Sequence, residues 1–339
     1  MHGLRRLMKH FRTFYKKQIK IRVLFAVAVL FCAAVFVCSL LFGSVKLDFS
    51  SLSDSVYKKI FLYVRLPRTL ACMTAGAGLA VSGALIQGVL ANKLASPSLI
   101  GVNAGAGLAI TLCAAWGLFG GMRTSLFSFA GAFGTVMLIT LGAKRCRASK
   151  GTLILAGVAL NSFLNAVSSA IVTLKPDVGV FSNDFKVGDF SAVTFAKLTP
   201  AAILTVVALA VSFRLSNMLD VLTLGEENAA GLGVNVNAAR TGFLLLAALL
   251  AGAAVSFAGL LSFVGLIVPH AVRKMGGGTS AHLLPLCALF GAGFVTLCDL
   301  IARTAFAPYE IPVGIIMAFL GAPFFILLLA NGKGGQHLD

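Results

Sequence analysis

Residues 23–43 read VLFAVAVLFCAAVFVCSLLFG, 21 positions without a single charge. A stretch of about 20 apolar residues is the length that crosses the hydrocarbon core of a bilayer as a helix. It is too long for the core of a signal peptide, and no small-residue cleavage pattern follows it, so it reads as a retained first span. Immediately before it, residues 1–22 carry Arg5, Arg6, Lys9, Arg12, Lys16, Lys17, Lys20 and Arg22 and no acidic residue. A basic flank of this kind stays on the cytoplasmic side. It also has the composition of an arm that meets anionic lipid.

The rest of the chain repeats the pattern. Of its 339 residues, 58% are hydrophobic and 12% charged, against about 25% charged in a soluble domain. The runs are rich in Ala, Leu and Gly and lack the period-2 alternation of a membrane barrel. An all-α polytopic membrane protein is therefore expected, with about ten spans. They fall near residues 23–43, 69–90, 98–118, 124–142, 152–173, 195–214, 241–258, 261–274, 282–303 and 312–330. The eighth is short for a full crossing. An even number puts both termini in the cytoplasm, and the basic clusters Lys144, Arg145, Arg147, Lys150 and Arg273, Lys274 then fall inside, as positive-inside bias requires. The expected organisation is a basic arm over 1–22, a transmembrane domain over 23–330 and a cytoplasmic tail over 331–339. The net charge of +17 thus belongs to topology and does not call for nucleic acid. Seven cysteines (Cys32, Cys38, Cys72, Cys113, Cys146, Cys287, Cys298) form no CxxC pair and read as small buried hydrophobes.

Polar residues inside such runs are the candidates for function. Asn161, Asn165, Ser168 and Ser169 recur at helical spacing on the fifth span, with Ser162 beside them. Asn is unfavourable against lipid, so this face looks into protein or into a wet pathway; both readings stand, and Gln87 in the second span invites the same pair. Arg65 and Arg68 flank Pro67 before the second span, and Arg303 closes the ninth. Arginine on the outer side either snorkels to headgroups or offers its fork to carboxylates of a partner. Asp299 is placed to pair with Arg303 at i+4, a structural role more than a proton-carrying one. Gly101 and Gly105 form a GxxxG step for close helix packing. Ala75–Leu85 (AGAGLAVSGAL) and Ala251–Leu261 (AGAAVSFAGLL) echo one another, from an old duplication or from shared composition.

On the inner side, Gly225-Glu226-Glu227-Asn228-Ala229-Ala230-Gly231-Leu232-Gly233 reads as a short helix, acidic where a helix begins and closed by a glycine. It suits an ordinary loop or a partner's groove. The chain shows no phosphate-binding loop, no HExxH and no paired carboxylates, so no catalytic site, cofactor or metal is expected in it.

Several of these stretches occur in order in a known family. Arg65-Leu66-Pro67-Arg68, Ser82-Gly83-Ala84-Leu85-Ile86-Gln87, Leu99-Ile100-Gly101-Val102, Phe263-Val264-Gly265-Leu266-Ile267-Val268-Pro269-His270, Asp299 with Arg303, Glu310-Ile311-Pro312-Val313-Gly314 and Leu320-Gly321-Ala322-Pro323-Phe324 resemble the permeases of iron–siderophore, haem and cobalamin ABC importers. The resemblance implies a dimer, with a second copy or a sister permease, two cytoplasmic ATPase subunits that bind the ATP, and an extracytoplasmic substrate-binding protein. It makes Gly225, Glu226, Ala229, Leu232 and Gly233 the coupling segment toward the ATPase. It makes Arg65, Arg68 and Arg303 docking residues for the binding protein. Asn161, Asn165, Ser168 and Gln87 become candidates for the wall of the translocation path. Iron-chelate uptake is the first expectation, haem or cobalamin the next; an ion-coupled secondary transporter is the rival of a different class.

Overall fold

In the computed structural model, residues 2–44, 55–118, 120–146 and 149–331 are described, and among them every regular element is helical. In chain order the helices are α1 His2–Leu41, α2 Ser55–Ile60, α3 Leu66–Leu90, α4 Val102–Ala115, α5 Gly121–Arg145, α6 Lys150–Leu174, α7 Asp177–Val187, α8 Phe195–Arg214, α9 Ser216–Thr223, α10 Glu226–Gly231, α11 Val236–Ala258, α12 Val264–Met275, α13 Ser280–Thr304 and α14 Val313–Asn331. In lipid, each backbone N–H and C=O must be satisfied within its own segment, and the helix does this.

Every position expected for a span holds a helix, but among the described residues seven helices are long and apolar enough to cross a membrane on those two criteria. α14 has 19 residues, and the other two, α4 and α12, are shorter for identifiable reasons. α4 begins late because Pro97–Ile100 makes a 3-10 turn and Gly101 takes φ +93° before it. α12 has only 12 residues and starts from Phe263 at φ +66°, a left-handed conformation that is rare for a bulky side chain.

Two boundaries differ from expectation in the other direction. α1 continues unbroken through the basic arm, so no hinge separates arm from span; at 1.5 Å per residue the helix is about 60 Å long, twice the hydrocarbon thickness. α2 runs through a π-helical turn, Phe61–Arg65, straight into α3. The second span thus begins well before residue 69, in a stretch whose Lys58 and Lys59 hide it from hydropathy. Residues 45–54 of the outer segment and 332–339 of the tail lie outside the described residues. The segment 174–194 contains α7, which packs on α4 and against the start of α14.

The bundle is built around α3, which contacts α13, α11, α12 and α8. α1 covers α13, α5 and α8 lie on α11, and α6 and α7 lie on α4. Glycine makes the centre dense. A Cβ on Gly76 would sit 2.1 Å from the carbonyl oxygen of Gly291, and one on Gly83 would sit 1.9 Å from that of Gly265. In lipid, where association depends on packing, such backbone approach holds helices together. Gly105 packs in the same way on Gly131. Its GxxxG companion Gly101 serves the turn before α4 instead.

Candidate functional sites at the two ends of the bundle

Arg68, on the first turn of α3, enters a space between α13 and the loop before α14. Its Nε and Nη2 donate to Asp299 at 3.0 and 2.9 Å, and its Nη1 donates to Glu310 at 2.7 Å. Glu310 also accepts from the Ser44 hydroxyl at 2.7 Å. One turn beyond Asp299, Arg303 lies 3.5 Å from that carboxylate, and its Nη2 donates to the Ser39 carbonyl at 2.6 Å. The Ser39 hydroxyl meets Thr69 at 2.8 Å. Arg65 donates to the carbonyls of Leu40 and Leu41 at 2.9 and 2.6 Å. These are the last carbonyls of α1, which have no partner within the helix and carry its negative dipole end.

The side chains of Asp299, Arg303 and Arg68 are 0%, 3% and 6% exposed. The cluster therefore locks α1, α3, α13 and the α14 approach together. In this conformation the three guanidinium groups meet carboxylates and carbonyls of the chain itself. The i+4 pair of Asp299 with Arg303 is present, but the bidentate partner is Arg68. Glu310 lies outside the helices, at the solvent edge. Burial alone would raise its pKa, but the hydrogen bonds from Ser44 and Arg68 outweigh it and hold the carboxyl below the usual glutamate range.

At the opposite end, α9 and α10 form a compact corner. Gly225, φ +101°, turns the chain into α10. Gly233, φ +80°, turns it out, with Gly233 N–H bonded to Ala230 O and Val234 N–H to Ala229 O, the paired closure of a Schellman motif. Ala229 faces inward and is fully buried, whereas Leu224 and Leu232 are 59% and 65% exposed. Two carboxylates anchor the corner. Asp220 of α9 accepts the Ser280 backbone N–H at 2.9 Å and its hydroxyl at 2.5 Å, holding α9 to the start of α13. Glu226 bonds Arg240 of α11 and lies 3.8 Å from Lys150 of α6. Sequence reasoning missed Asp220; its rarity as one of the 11 acidic residues of the chain was the available signal.

The four residues read as a pathway wall separate into different roles. Gln87 is buried, donating to the Gly265 carbonyl at 3.0 Å and accepting from Arg273, so it pins α3 to α12. Ser168 is buried and shares a hydrogen bond with Thr111, which also meets Ser182, joining α6, α4 and α7. Asn161 donates to the Ser98 carbonyl at 2.9 Å while its Oδ1 is enclosed without a partner. Asn165 remains exposed, with Ser162 and Ser169 beside it. α6 as a whole is the least covered of the long helices, 11% buried over its apolar window against 78% for the rod that contains α3.

Known proteins match this architecture along most of its length. The description of the FecCD transport family matches residues 28–331. The Fe(3+)-citrate import system permease protein YfmD of Bacillus subtilis is 37% identical over 270 residues, which cover 80% of this chain and 81% of that protein. The hemin transport system permease protein HmuU of Yersinia pestis is 35% identical over 303 residues, 86% of this chain and 90% of that one. A solved structure of a metal-chelate type ABC transporter in an inward-facing conformation superposes with a TM-score of 0.84 at 31% identity, covering 91% of this chain and 99% of that chain. A multi-pass bundle matched over this range fixes the family: the chain belongs to the FecCD transport family.

Proposed function

We propose that the chain is the membrane-spanning subunit of a binding-protein-dependent ABC importer in the cytoplasmic membrane, moving an iron chelate inward with ATP hydrolysed by a separate subunit. The observation that carries this is the α9–α10 corner. It is pinned to α13 and α11 by buried and charged contacts, yet it raises Leu224 and Leu232 bare into solvent. A rigid corner with an apolar crest fits a groove on another protein, and in this family setting that protein is the ATPase. The Glu226 end is then cytoplasmic, with both termini on that side of ten crossings, and the Arg68 end is outer.

α6 supports a dimer. A helix almost uncovered within the chain, with Asn165, Ser162 and Ser169 exposed, is unfavourable against lipid. A second copy, or a sister permease, facing it across a wet pathway removes the conflict. At the outer end, the binding protein docks over the arginine cluster, an incoming carboxylate displacing Glu310 from the solvent side of Arg68. The chain itself needs no cofactor. ATP acts by binding one conformation of the assembly more tightly than the other. An ion-coupled mechanism fits poorly, because the buried carboxylate Asp299 is already held by two arginines. The hemin-transport relative keeps haem as the second reading of cargo, with cobalamin behind it.

The test is uptake into proteoliposomes holding the permease, its ATPase and its binding protein, with ferric chelates, haem and cobalamin offered in parallel. ATP-dependent accumulation of a ferric chelate is expected. A Glu226→Ala/Leu232→Ala variant should keep its fold and lose the coupling of hydrolysis to uptake. Uphill transport by the permease alone on an ion gradient would overturn the proposal.

A further inference from the structure

Behind the α9–α10 corner lies a cavity of about 630 Å³, bounded by the end of α5, the first turn of α6 and the start of α11. Its rim is charged and its floor, with Leu153 and Leu244, is apolar. Three cations line it, Lys144, Lys150 and Arg240, against one carboxylate, Glu226. Glu226 is committed to Arg240, and Lys150 stands off at 3.8 Å. The cavity therefore keeps an excess of positive charge centred on Lys144 and Lys150. The positive end of the α6 dipole adds to it.

The cavity also continues a line along α6. Gly151, on its wall, lies on the same helical face as Ser162, Asn165 and Ser169, because separations of 11, 14 and 18 residues return within about 40° at 100° per residue. From Ser169 to Gly151 is about 27 Å at 1.5 Å per residue, close to the hydrocarbon thickness. Leu155 and Val158, 70% and 45% exposed on the same face, lie between Ser162 and the cavity; the exposed face of α6 thus leads past them to a cation-rich cavity large enough for a small chelate, since ligand sites run to about 300–1,000 Å³.

We propose that this cavity is an exit subsite for anionic cargo: a metal chelate whose carboxylate or catecholate oxygens carry net negative charge is held by Lys144 and Lys150 as it leaves the α6 face for the cytoplasm. The inference rests on the importer reading and narrows its substrate class toward anionic chelates. It also ties release to the ATPase, because Glu226 sits both in the α10 corner and on the cavity wall.

The experiment is equilibrium binding to the full-length purified permease with two probes, anionic ferric dicitrate and cationic ferrioxamine B. Ferric dicitrate should bind, weakening as salt rises, and ferrioxamine B should not compete. Lys144→Gln/Lys150→Gln should lower affinity about tenfold, the effect of losing two partly solvated charge contacts of a little under 1 kcal/mol each; Lys144→Arg/Lys150→Arg should retain it. The salt series needs no variant. Salt-independent binding, unchanged affinity in the Gln variant, or full displacement by an equal concentration of inorganic phosphate overturns the subsite. ATP-driven uptake that continues at the same rate in the Gln variant removes the subsite and leaves the importer standing. Lysine-dependent binding without ATP-driven uptake in the unmodified assembly does the reverse.

Discussion

The two ends of the bundle handle charge in opposite ways. At the Arg68 end, Asp299 and two arginines are withdrawn from water, Arg68 hydrogen-bonded to Asp299 and Arg303 3.5 Å from it. At the Glu226 end, Glu226 is 52% exposed, Lys150 is 26% exposed and the separation between them is loose. A desolvated cluster is stable only when its hydrogen bonds are made inside the chain, so it fixes geometry. An open cluster keeps much of its charge available to whatever approaches. The first end is thus built to hold helices in place and meets solvent at Glu310, 32% exposed, while the second presents its charges more openly.

The sharpest way to break that contrast is Asp299→Ala. It leaves Arg68 and Arg303 in a space with no carboxylate of comparable burial, and unpairing a buried charge costs about 3–5 kcal/mol. Thermal unfolding of the detergent-solubilised protein should show this as the largest loss among single substitutions of either cluster. Asp299→Asn, which retains acceptor capacity, should fall between. A melting point within about 1 °C of the unmodified protein, under 1 kcal/mol for a chain of this size, would show that the cluster is not a lock.

The sequence carried the bundle but not its wiring. Apolar runs and their Gly and Pro boundaries located a helix at each expected position, and among the described residues seven of these are long and apolar enough to cross a membrane, where lipid imposes the same demand on each. They did not show that Ser55–Arg65 extends the second span, because the lysines there face away from that demand. Nor did they assign Gln87 and Ser168 to helix contacts. Periodicity says which residues share a face, not which neighbour covers it, and both readings of a polar helix face look alike until α12 and α4 are in place. Arg68 and Asp299 are 231 positions apart, so their pairing leaves no local trace, whereas Asp299 and Arg303 sit one turn apart and could be matched directly. The echo between Ala75–Leu85 and Ala251–Leu261 has a simple basis in packing. It falls on α3 and α11, which touch along their length and whose spans are 78% and 67% buried. Small residues suit both positions.

A gentler probe works at the solvent edge of the locked end. Glu310 has a lowered pKa, so its share of stability is present above the unfolded value of about 4.3. That share is lost as pH falls through the still lower folded value. The stability gap between the unmodified protein and Glu310→Gln should therefore stay flat from neutral pH down to about 5 and close at more acidic pH. Thermal melts across that range measure it. A gap that opens instead between pH 6 and 8 would mean that some group other than Glu310 governs this contact.

The smallest effect on stability should come from the open end. Glu226→Ala removes the contacts to Arg240 and Lys150, whose side chains are 12% and 26% exposed, but Glu226 itself is 52% exposed, and pairs open to water on one side contribute about 0–1 kcal/mol. Raising the salt to about 0.5 M should erase most of even that, since screening then acts over less than 5 Å. Asp220 and the Gly225 and Gly233 turns would still hold the corner, so the fold of α10 should survive. What should suffer is the transmission of force, because Glu226 is the charged link by which α10 reaches both α11 and the first turn of α6. A variant that melts like the unmodified protein but hydrolyses ATP without moving cargo would set the two ends apart as lock and lever. A variant that loses several kcal/mol would make them the same kind of structure.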